Sequence, residues 1–417
     1  MELTSSVLEI SKRALTSTSS CTQKQALGDE QVEASSSPCI ACVYGLRPRP
    51  PTGGAFVKIR NFGYARWIAL LVAIMAFVLS NPIRFRVLAA APLDYRPVAR
   101  LTLGGEGFWD YLAMDSTARR LYISRWTHVM VVNADSYKVV GDIPGIQGVH
   151  GIAIAHEFDR GFISEDQANQ ITIFDLRTLK TIATARTGNG PDGIIYDLVS
   201  KRVFVFNHDG TATAVDAATG AVAGTIELGG QPEFAAPDGR GHVYNNLEDK
   251  SEVLRIDSQS LRVLNRWPLV PGESPSGMAI DRQHRRLFVG CRNRTMVAMD
   301  ADTGKVVATV PIGEGVDANR FDPGTQLVFS SNGVGTLSVI HEDSPDTYTV
   351  VTDVPTQRGA RTMEIDPKTH RVYLVTAELG PQPQSTADDP PPTTPGTFTL
   401  LVYGREARRN PAQQGSK

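Results

Sequence analysis

The body of this chain is nearly free of cysteine. Cys21, Cys39 and Cys42 fall within the first 42 residues, and Cys291 stands alone after them, so the folded part has no disulfide to make in any compartment. Cys39-Ile40-Ala41-Cys42 has metal or redox spacing, but no second such pair and no His pair follows at zinc-finger distance. The nucleophile elbow GxSxG, the zinc motif HExxH, the P-loop and a GxGxxG in strand–helix context are all missing. The eight histidines are scattered, which argues against a multi-histidine copper site, and four dispersed tryptophans argue against a repeating quinoprotein motif. A basic excess is lacking too: Lys+Arg 42 against Asp+Glu 44 leaves −2 and no footprint for nucleic acid. Apolar positions alternate instead of recurring every ~3.6 residues, so coiled-coil and helical-repeat readings fail.

The longest apolar run, Trp67 to Leu79, is shorter than the roughly 20 residues a bilayer span needs. It suits the apolar core of a secretory signal, with Lys58, Arg60 and Arg66 before it and Leu88-Ala89-Ala90-Ala91 as small residues for a peptidase. Arg84 and Arg86 follow the run and Pro92 follows Ala91, so an uncleaved N-terminal anchor is the alternative. The expected organisation is a low-complexity leader at 1–56, polar and then Pro/Gly-rich, a signal or anchor at 57–91, a folded domain at 92–405 and a disordered tail at 406–417. The domain is expected to be exported, periplasmic or secreted, touching a membrane only through an uncleaved N-terminal segment. Residues 1–91 hold ten Lys/Arg and five Asp/Glu of the chain's 42 and 44, so the rest is acidic, at −7. Nucleic acid and anionic lipid are therefore poor partners.

What the chain does contain is one pattern repeated seven times. A first hairpin turn falls at Asp115, Ala155, Asp197, Asp238, Asp281, Asp322 and Asp366. A second β-rich element follows each turn: Leu121-Tyr122-Ile123-Ser124, Gly161-Phe162-Ile163-Ser164, Val203-Phe204-Val205-Phe206, Val243-Tyr244-Asn245-Asn246, Leu287-Phe288-Val289-Gly290, Leu327-Val328-Phe329-Ser330 and Val372-Tyr373-Leu374-Val375. Third strands end at Asn133, Asp175, Asp216, Asp257, Asp300, His341 and Tyr403. Four short β runs in about 40–45 residues are the signature of a propeller blade. The seventh repeat lacks a fourth strand, and an unpaired run, Val98 to Leu103, precedes the first. The spacing therefore predicts an all-β, seven-bladed β-propeller in which the N-terminal strand completes the last blade and leaves no long open edge.

The openings Pro191-Asp192-Gly193 and Pro275-Ser276-Gly277-Met278-Ala279-Ile280-Asp281, the Tyr-Val-Thr-Asn-like second strand and the closing hairpin Asp300 to Gly313 resemble YVTN-repeat propellers, specifically the exported YncE-like family. The tetrapeptide itself is never intact. The resemblance covers about residues 95–405. It implies an exported binding or scaffold protein and transfers no catalytic residue.

The residue five places before each first turn is Asp110, His150, Asp192, Glu233, Ser276, Asp317 or Arg361. In a propeller these should converge on one mouth of the central channel. A second set of loop residues on that face includes Glu165, His208, Asn245, Asn246, Glu248, Arg292, Asn332 and Glu378. Convergent carboxylates with an imidazole and a guanidinium can orient a polar ligand or hold a hard divalent cation such as calcium, with Asp192, Glu233 and Asp317 as candidate ligands. No other cofactor is evident. Solvated loops are the bland alternative, Pro-Asp-Gly at 191–193 being a turn signature in itself. The turn aspartates on the opposite face read as structural.

Two functions compete for this mouth. The first is a binding or scaffold protein, expected to be monomeric, that takes a protein, peptide or small polar ligand. The second is a lactonase-like hydrolase with a metal or a carboxylate–His–Arg set, for which Asp110, His150 and Arg361 are the best catalytic candidates. A Pro-rich insertion, Gly380 to Gly396, lies on the same face and is expected to form a semi-stiff loop, either a tolerated insertion or a flap over the mouth.

Overall fold

In the computed structural model the described residues are 95–105, 107–381 and 392–405. The leader and signal at 1–56 and 57–91, the tail at 406–417 and the middle of the Pro-rich insertion lie outside them. Each repeat is organised by two side-chain-built turns. At the inner hairpin an aspartate accepts from the backbone just ahead of it: Asp115 Oδ1 from the N–H of Thr117 and Ala118 at 2.9 and 2.7 Å, Asp281 from Gln283 at 2.9 Å, Asp322 from Gly324 at 3.0 Å. Such Asx turns satisfy donors that a tight reversal leaves free. The residue before the next strand then turns left-handed in every repeat: Arg119, Asp159, Lys201, Gly241, Arg285, Gln326 and His370 all have positive φ. At the outer hairpin, Asn133, Asp175, Asp216, Asp257 and Asp300 each accept from the N–H three residues on, at 2.6–2.9 Å.

These turns fold the described residues into five four-stranded antiparallel sheets and one of seven strands. In the larger sheet Val139–Ala155 is one continuous strand. Its first part pairs with Trp126–Asn133 (His128 opposite Pro144) and its last part with Arg160–Glu165 (Ala155 opposite Arg160). Ring closure follows the expected route. Tyr95–Thr102 pairs antiparallel with Thr399–Arg405 and becomes the outer strand of the sheet that contains Arg371–Thr376 and Met363–Asp366.

The core lies between neighbouring sheets. Second and third strands carry the fully buried side chains, among them Tyr122, Phe162, Phe204, Tyr244, Phe288, Phe329 and Tyr373. Burying one ring of this size is worth roughly 1.5–3 kcal/mol. The tyrosines also bolt sheet to sheet: Tyr244 donates to the Ala301 carbonyl at 2.8 Å and Tyr373 to that of Ala134 at 3.2 Å. On the hairpin face the turn aspartate meets a base from the next repeat: Asp115 with His156 (3.1 Å), Asp238 with Arg285 (2.9 Å), Asp322 with His370 (2.7 Å) and Asp366 with Arg119 (2.6 Å).

Two local expectations need correction. Pro191-Asp192-Gly193 is no turn; it lies inside the strand Pro191–Asp197, and Asp192 is buried. Glu165, Asn245, Asn246 and Asn332 sit on strands and are buried. Asn246 spends its amide on the Ser276 carbonyl at 2.8 Å. The Pro-rich insertion leaves the sheet as a short antiparallel ladder, with Leu379 opposite Thr393 and the Gly380 N–H donating to Pro392 at 2.8 Å. Among the described residues no helix is long and apolar enough to cross a membrane.

Candidate functional site

Neighbouring inner strands can approach closely where one of them carries a small residue. The position after the mouth residue is glycine in three repeats, Gly151, Gly193 and Gly277. A Cβ on Gly277 would stand 2.5 Å from the Asn319 nitrogen, and one on Gly151 3.0 Å from the Asp192 carbonyl oxygen. The neighbouring inner strand occupies that space, and at the same position of two other repeats stand Tyr111 and Phe234, whose ring centroids are 4.4 Å apart. Below them a cavity of about 840 Å³, lined among others by Leu112, Ile194, Met278 and Phe321, opens to the hairpin face. Tyr111 and Phe234 therefore lie between this apolar channel and the polar mouth.

The polar residues at the mouth are linked into two groups. His150 Nδ1 lies 2.6 Å from Asp110 and 3.2 Å from Asp192, and His208 Nε2 meets the other oxygen of Asp192 at 3.2 Å. Across the channel Arg361 Nη1 donates to Asp317 at 2.7 Å, and the Ser276 hydroxyl donates to the other Asp317 oxygen at 3.0 Å. The second-strand polar residue pins this ring by its backbone. Ser124 Oγ accepts from the Asp110 N–H at 2.7 Å, and Ser164 Oγ donates to the Asp192 carbonyl at 2.6 Å.

Electrostatics set the protonation of each group. Burial alone would lower His150, but hydrogen bonds to Asp110 and Asp192 outweigh it and push the imidazole up to about 11. Asp192 is buried, which would raise it, yet His150 and His208 hold it well below the usual carboxylate range. Glu233 makes no ion pair among the described residues. Burial, with Asp192, Asp317 and Glu248 around it, raises its carboxyl well above the usual range. The Tyr111 hydroxyl is buried without a hydrogen-bond partner, and burial with Asp192, Glu233, Asp110 and Asp317 nearby raises it as well.

Of the seven residues picked from the repeat spacing, Asp110, His150 and Asp192 are linked to one another, Ser276, Asp317 and Arg361 likewise, and Glu233 is within electrostatic reach of Asp192 and Asp317. Asp192, Glu233 and Asp317 are not drawn together as one ligand set. Among the described residues, the groups of three with donor atoms within 4.8 Å of one another are Asp110–His150–Asp192 and Asp281–His284–Glu342. Tyr111 was missed; its signal was the lone aromatic hydroxyl at a position where glycine recurs. His208 is nearer the centre than its loop suggests.

No protein-family model matches the chain, and no curated protein matches it. Its fold is similar to solved WD40 β-propellers. The structure of U3-55K has a TM-score of 0.62 at 11% identity, covering 74% of this chain and 98% of that one. The crystal structure of RRP9 WD40 repeats has a TM-score of 0.62 at 11% identity, covering 75% and 98%. A chain in the crystal structure of the Mitotic Checkpoint Complex has a TM-score of 0.62 at 15% identity, covering 76% and 95%. At such identities the likeness concerns the fold.

Proposed function

We propose that this protein is an exported, seven-bladed binding propeller of the YncE-like type, which takes a positively charged group of a polar ligand, peptide or protein partner at its channel mouth. The observation that carries the ligand charge is Glu233. Glu233 has no basic partner among the described residues, whereas Asp192 is paired with His150 and His208 and Asp317 with Arg361. An incoming cation can take the place of the Glu233 proton. The count of seven rests on the seven left-handed hairpin residues and on reading Val139–Ala155 as the fourth strand of one blade running on into the first of the next. A binding or scaffold role also agrees with the WD40 neighbours.

The hydrolase reading asks His150 to act as a base. An imidazole held near 11 is a cation at neutral pH and has no free lone pair on the nitrogen that faces the acids. Binding is therefore the better-supported role. It is tested with two tripeptides, Gly-Arg-Gly and Gly-Glu-Gly, titrated calorimetrically into the folded domain. Gly-Arg-Gly should bind, and Glu233→Gln should weaken it at least about tenfold, or about 1.4 kcal/mol; equal binding of the two peptides would contradict the proposal. Export rests on the leader. Placing Asp at Leu71 and Ile74 should leave the protein in the cytoplasm, because a charged signal core does not insert; unchanged recovery outside the cytoplasm would overturn that part.

A further inference from the structure

A second cluster, Asp281, His284 and Glu342, lies on the hairpin face, away from the mouth. Asp281 builds its turn, with Oδ1 accepting the Gln283 N–H at 2.9 Å, and its Oδ2 lies 2.6 Å from His284 Nδ1. Glu342 comes from the strand Thr336–Ser344 of the next repeat. Its side chain is 0% exposed, neither carboxylate oxygen has a hydrogen-bond partner, and Oε1 is 3.9 Å from the same imidazole nitrogen. One donor atom from each residue falls within 4.8 Å of the other two.

The charge at this junction is inverted. Where Asp238, Asp322 and Asp366 meet Arg285, His370 and Arg119, the left-handed residue of the following hairpin is a base. After Asp281 that residue is Gln326, and its carbonyl accepts the Glu342 N–H at 2.9 Å. A second acid thus stands beside this turn aspartate in place of the base found at those three junctions. Arg286 is the nearby cation, and its guanidinium already bonds Asp300, Asp346 and the Pro345 carbonyl. Glu342 is thus a buried carboxylate with no salt bridge to an Arg or Lys among the described residues.

We infer that Asp281, His284 and Glu342 form a site for a divalent transition-metal ion of the zinc or manganese class, joining two neighbouring sheets. One imidazole nitrogen with two carboxylate oxygens is a donor set for such ions, with water completing the shell. Calcium, which takes about six to eight oxygens, fits poorly. His284 is 29% exposed and gives the ion its entry from solvent. Tyr348 lies opposite Glu342 on the adjoining strand.

The test uses the full chain, stripped with EDTA, titrated with Co²⁺ by absorbance and with Zn²⁺ by calorimetry. The parent should bind saturably. Glu342→Gln and His284→Gln should each subtract one ion or weaken the event at least about tenfold. An ion held at the mouth would survive both variants, so the two sites are separated by stoichiometry. Glu342→Gln keeps the shape and removes a buried charge, so the variant should fold, which circular dichroism checks. Absence of saturable uptake by the parent would overturn the inference, as would parent-like uptake by Glu342→Gln.

Discussion

His150 presents a single nitrogen to both Asp110 and Asp192, and the two carboxylates fix it as an imidazolium. Because its folded pKa lies above the unfolded value of 6.5, the stability it contributes is complete below about 6.5. That contribution declines as pH rises toward about 11. His150→Gln leaves two acids without their cation and is expected to cost about 3 kcal/mol in urea unfolding at pH 6. The cost should shrink steadily toward pH 10; a flat penalty would mean that the ring is not protonated. The identity of His150 as a mouth residue was legible because the repeats align it with six polar residues. Its charge state was not, since that depends on Asp110 and Asp192 arriving from neighbouring repeats. Tyr111 was illegible for a related reason: its hydroxyl lies against the neighbouring repeats, 3.4 Å from where a Cβ of Gly193 would stand.

Among the elements, the inner hairpin does two jobs, and only one could be read locally. Asp366 as a turn-former follows from its own next few residues. Its ion pair with Arg119 joins residues 247 apart in the chain and appears only once the ring closes. The Asp366 side chain is fully buried and that of Arg119 is 14% exposed, so Arg119→Ala should destabilise the domain by about 3 kcal/mol in thermal or urea unfolding. A cost near zero would show that closure rests on the pairing of Tyr95–Thr102 alone. Burial would raise Asp366, but hydrogen bonds from Thr369, Ser116 and Arg119 hold it below the usual carboxylate range. That contribution is present above the unfolded carboxylate pKa and is lost as pH falls through the lower, folded value. The strand boundaries were read well where Asp, Asn and Gly punctuate them. They failed at Pro191-Asp192-Gly193, because crowding at the axis keeps this turn-like tripeptide extended.

Across the whole molecule, repetition made the architecture readable: a pattern that recurs at fixed spacing states its own packing partners. Ligand chemistry is not repeated in this way. It arises from differences between the repeats: an imidazole in one, a guanidinium in another, and a glutamate, Glu233, that makes no ion pair. In the proposed function this glutamate is a neutral acid which gives up its proton to a positively charged ligand. The direct measurement is calorimetric titration of Gly-Arg-Gly at pH 7 in two buffers of different ionisation enthalpy, which reads the protons exchanged on binding. Proton release by the parent, and none by Glu233→Gln, is the expected result. Binding with no proton release, or equal release by both proteins, would contradict it.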